Sequence, residues 1–62
     1  MKKLYKIHLD GGDIVNIPCD FAEMRDDGKS LCFFRGRVDR ATMLSRIYLK
    51  HVIMYYVEYT NE

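Results

Sequence analysis

The chain begins with a clear alternation. Over residues 3–9, Tyr5, Ile7 and Leu9 fall on one side of an extended backbone and Leu4, Lys6 and His8 on the other. A period of two predicts a strand with one buried face. Asp10-Gly11-Gly12-Asp13 follows and marks a hairpin, because glycine accepts the positive φ of a tight turn. Residues 14–17 form a short second apolar strand. Pro18 has no amide hydrogen for a ladder and is expected to end it.

The same logic continues downstream. Residues 21–25 predict a third strand, Asp26-Asp27-Gly28-Lys29 a second turn, and residues 30–35 a fourth strand. In the fourth, Leu31 and Phe33 share one side while Cys32 and Phe34 share the other. Both sides are apolar, so this strand is expected to be central or covered on both faces. Residues 38–51 fit two patterns. As a strand over 43–49, Met43, Ile47 and Leu49 point inward and Arg46, Tyr48 and Lys50 outward. As a short helix over 39–50, Asp39 caps the start and Met43, Leu44, Ile47 and Tyr48 form a stripe. We favour the strand. Residues 52–60 are rich in β-branched and aromatic side chains and predict a last strand.

The sum is one small domain over 1–62. It is all-β, or β-rich α+β if the helix forms. The expected architecture is a small antiparallel meander or SH3-like barrel of five to six short strands. A 62-residue chain buries a limited share of its surface, so self-association is a common source of extra burial.

Charge adds a pattern that the net value of +1 hides. Residues 10–27 hold Asp10, Asp13, Asp20, Glu23, Asp26 and Asp27 against Arg25 alone, a net −5. Residues 35–50 hold Arg35, Arg37, Arg40, Arg46 and Lys50 against Asp39 alone, a net +4. A near-neutral chain is a poor match for a dedicated nucleic-acid binder, whose affinity comes largely from phosphate neutralisation. No apolar run reaches the length of a membrane span. Met1-Lys2-Lys3 is basic, but no apolar segment of signal-peptide length follows it. The expected compartment is therefore the cytoplasm, with Cys19 and Cys32 reduced.

Motifs of catalysis are missing from the chain: no nucleophile elbow, no phosphate-cradling glycine loop, no His-Glu-x-x-His. Cys19, Cys32, His8 and His51 match a zinc site in number but lack its spacing. We therefore expect no enzyme activity, no metal, no cofactor and no small-molecule substrate. A domain this small is also expected to leave little room for a pocket.

Two surfaces carry the functional reading. On the last strand, Met54, Tyr55, Tyr56 and Tyr59 are residue types enriched at protein interfaces. Tyr55, Val57 and Tyr59 share one face and Met54, Tyr56 and Glu58 the other; one row is expected to be core. The preferred expectation is a binding module, a regulator or inhibitor that contacts another protein or a second copy of itself. The alternative is a nucleic-acid module. There Phe34 would be the stacking ring and Arg35, Arg37, Arg40 and Arg46 the phosphate contacts.

Overall fold

The computed structural model describes residues 2–60. Six strands form: β1 (Lys2–Leu9), β2 (Ile14–Cys19), β3 (Phe21–Arg25), β4 (Ser30–Arg35), β5 (Thr42–Tyr48) and β6 (Val52–Thr60). They make two antiparallel three-stranded sheets, in the orders β2-β1-β6 and β3-β4-β5. Residues 39–50 are not a helix. Short 3-10 turns at Val38–Arg40 and Leu49–His51 flank β5. The fold is all-β, in keeping with the alternation in the sequence.

One residue separates β2 from β3, so the chain passes directly from one sheet into the other. Asp20 makes that corner. Its amide donates to the Phe34 carbonyl at 2.9 Å. Its carboxylate Oδ2 accepts from the Gly36 amide at 2.6 Å. Gly36 has φ +108, and an added Cβ would lie 3.3 Å from the Arg40 carbonyl oxygen, so glycine is required at this turn.

The core lies between the sheets. Ile7, Ile17, Cys19, Leu31 and Phe33 are buried together, with Tyr5, Leu9, Val15, Ala22, Ile47, Leu49 and Val52 packed around them. Tyr5 meets Phe33 edge to face at 5.1 Å between centroids, a favoured aromatic geometry. The other side of β4 is buried too, as its two apolar faces imply. Cys32 is fully inaccessible, and Phe34 stacks on Phe21 at 5.0 Å with the Arg25 guanidinium over it at 4.9 Å.

Three expectations need correction. β2 runs through Pro18 to Cys19, with Pro18 opposite Leu4. It can do so because β2 is an edge strand, where a missing amide need not break the ladder. Met43 does not point inward. It pairs with Phe34 on the outer face, because the register shifts between Phe33 and Phe34 and leaves Leu44 as an extra residue. A one-residue bulge reverses every facing beyond it. Finally, neither row of β6 is core beyond Val52, which packs at the edge of the core. Tyr55 and Tyr59 are exposed on the inner row, and Met54, Tyr56 and Glu58 on the outer; from 54 to 59 Val57 alone is half-buried.

Replacing Phe33 with alanine should remove about 3–5 kcal/mol of stability. That is comparable to the whole stability of a domain this size, at roughly 0.05–0.15 kcal/mol per residue. Urea unfolding followed by circular dichroism should find Phe33→Ala largely unfolded in buffer; a folded Phe33→Ala would show that this core is not the main source of stability.

Candidate functional site

β6 is the longest strand and occupies one edge of its sheet. β1 covers one side of it through a continuous antiparallel register, from Lys2 opposite Thr60 to His8 opposite Met54. The register shifts once, at Ile53, so residues 54–60 form a regular run with an unpaired outer edge. Of the eleven exposed large apolar side chains among the described residues, eight lie on β5 and β6. Ile53 is 69% exposed, Tyr59 60% and Tyr56 41%. Around the strand, Lys6 pairs with Glu58 at 2.9 Å, Tyr5 lies 6.5 Å from Tyr55, and the Lys3 ammonium stands 6.0 Å from the Tyr59 ring. The hydrogen bond to Glu58 and its charge hold the Lys6 ammonium above its ordinary pKa.

The structure therefore brings Met54, Tyr55, Tyr56 and Tyr59 onto one continuous edge element, split between its two faces. Their shared lack of cover was not legible from sequence. The periodicity of β6 suits a half-buried strand, and only the arrangement of the sheets shows that neither face is filled.

The arginine patch is divided. Phe34 is 6% exposed and stacked on Phe21, so its ring is no open platform. Arg35, Arg37 and Arg40 are exposed around the turn after β4, where Arg37 lies 3.8 Å from Asp39. Arg46 stands apart on the outer face of β5, opposite Cys32. Its Nε donates to the Cys32 Sγ at 3.5 Å, and its Nη1 lies 4.0 Å from Asp26 Oδ2. Bonds to Cys32 and Tyr48, then the Asp26 charge, favour the protonated guanidinium. Asp26 and Arg46 thus join the acidic and basic regions of the chain.

Two side chains that the sequence did not mark as site residues gain a place here. Lys29 and Lys50 line a concavity of about 430 Å³ with Asp26, Arg46, Tyr48 and Leu49. A long-range bond, Leu49 amide to Lys29 carbonyl at 2.8 Å, sets its two sides together. Nothing local in the sequence signals that contact. Among the described residues, no group of three histidine, cysteine or acidic side chains converges as a metal site. His8 lies beside Tyr56 and His51 lies 3.9 Å from Asp10. Among the described residues, no helix is long and apolar enough to cross a membrane.

Comparison with known proteins finds no matching family model, no similar curated protein and no similar solved structure.

Both cysteines are free and buried. Burial raises the Cys19 thiol pKa, with Asp20 adding to the rise and Lys3 opposing it. The folded thiol therefore keeps its proton where the unfolded one loses it. The associated stability is complete below the unfolded thiol pKa of about 8.5 and is lost as pH rises toward the folded value. Cys19→Ala should flatten the decline of thermal midpoint above about pH 9; an unchanged decline would assign it to other groups, Tyr5 first among them because burial raises its pKa too.

Proposed function

We propose that the protein is a non-enzymatic binding module that self-associates through β6 and acts on a larger protein as a regulator or inhibitor. One observation carries this reading: β6 is the edge left unguarded. Edge strands invite pairing, and proteins blunt them with proline, charge, brevity or bulges. β2 contains Pro18, β3 has five residues with Glu23 and Arg25 among them, and β5 carries the Leu44 bulge. β6 has nine residues and no proline; its register shift at Ile53 lies near its start, its one charge, Glu58, is paired with Lys6, and residues 54–60 run regularly. The same strand concentrates the exposed tyrosines and methionine.

The occupant that fits best is a second copy. Antiparallel pairing of residues 54–60 with themselves centres on Val57. It sets Tyr55 opposite the second copy's Tyr59, and Tyr56 opposite the second copy's Glu58. Aromatic cross-strand pairs stabilise such ladders. A two-fold axis needs only one self-complementary strand, which suits a chain this short. The nucleic-acid reading is weaker because Phe34 lies within a stack and Arg46 is already engaged by Cys32 and Asp26.

Sedimentation equilibrium should show a dimer at micromolar concentration. Tyr59→Ala should weaken it by about ten-fold or more, and Tyr56→Lys should make it monomeric, both with unchanged circular dichroism. Arg37→Ala should leave association as it was. A wild-type chain that stays monomeric throughout the accessible range, or association insensitive to both β6 substitutions, would remove self-pairing from the reading.

A further inference from the structure

A second site lies away from β6. The turn between β3 and β4 and the 3-10 turn before β6 enclose a concavity of about 430 Å³. This volume falls within the range of small-ligand sites, despite the short chain. Lys29 approaches from the first turn, Lys50 from the second, and Arg46 from β5 between them. Three cations thus face one carboxylate, Asp26. That carboxylate is already committed: Oδ2 accepts from the Ser30 hydroxyl at 2.7 Å and lies 4.0 Å from Arg46. Among the described residues, neither Lys29 nor Lys50 forms an ion pair. The rest of the lining is Tyr48, half-exposed on the outer face, and Leu49.

We propose that this concavity binds a small phosphomonoester carrying a planar ring, such as a nucleoside monophosphate. The Lys29 and Lys50 ammoniums take the phosphate dianion, since charge-assisted bonds are the strong ones. Arg46 adds positive potential while it stays anchored on Cys32. The Tyr48 ring and Leu49 receive the planar group, as an exposed aromatic face stacks on any base. The backbone bond between Leu49 and Lys29 holds the two turns that carry the lysines side by side before any ligand arrives, which lowers the backbone share of the ordering cost of binding. The site shares no residue with β6 and stands independently of self-association.

The test is an amide NMR titration of the isotopically labelled full chain with adenosine monophosphate, adenosine and inorganic phosphate in parallel. Adenosine monophosphate should saturate in the micromolar to low-millimolar range, with shifts centred on Lys29, Tyr48, Leu49 and Lys50. It should bind more tightly than either adenosine or phosphate alone. Lys29→Gln and Lys50→Gln are exposed substitutions that preserve the fold, and each should weaken binding by about ten-fold; Tyr48→Leu should weaken adenosine monophosphate but not phosphate. The proposal is overturned by the absence of a saturable shift, by equal affinity for phosphate alone, by shifts centred instead on Arg35, Arg37 and Arg40, or by lysine variants that bind as the wild type does.

Discussion

The Asp20 corner is the constraint on which the rest of the fold depends. A single residue turns the chain from one sheet into the other, and it bonds with both its amide and its carboxylate. The amide ties the corner to the end of β4, and the carboxylate caps the Gly36 turn beyond it. Without that corner, β2 and β3 would have no fixed angle between them. The inner faces could then not meet over Phe33. Ile7, Ile17 and Cys19 from one sheet and Leu31 and Phe33 from the other form a core only because this bend holds them in register.

A core so placed is small, and its position has a cost at the periphery. It is centred on β1, β2 and β4, and β6 sits at the far edge of its sheet. Little remains to cover β6, so Tyr55 and Tyr59 stay exposed on the inner face while Met54 and Tyr56 stay exposed on the outer. The outer face of the other sheet is filled differently. There Phe21, Arg25 and Arg46 shield Phe34 and Cys32, with long basic side chains lying over apolar ones. Arg46, which looks in sequence like a free phosphate contact, is partly structural for this reason.

Much of the fold was legible in the sequence because it rests on local rules. Alternation in residues 3–9, the paired glycines after it and the Asp-Gly turn at 27–28 place the first four strands. The β-branched and aromatic run from Val52 places the sixth. The misreadings share a physical cause: each depends on a neighbour in space. Pro18 is tolerated because β2 has a free edge. Met43 faces outward because Leu44 bulges from the ladder with β4. Beyond Val52 the last strand lacks a core face because the opposite sheet does not extend over it. The basic concavity exists because the turn at residues 26–29 meets the one at 49–51.

Pro18 also sets a limit on size. A sheet extended by joining two β6 strands would end on both sides at β2, and each β2 carries a proline with no amide to offer a newcomer. Growth by strand addition would stop at two chains, giving a closed object instead of a filament. The residue expected to terminate a strand would instead terminate an assembly.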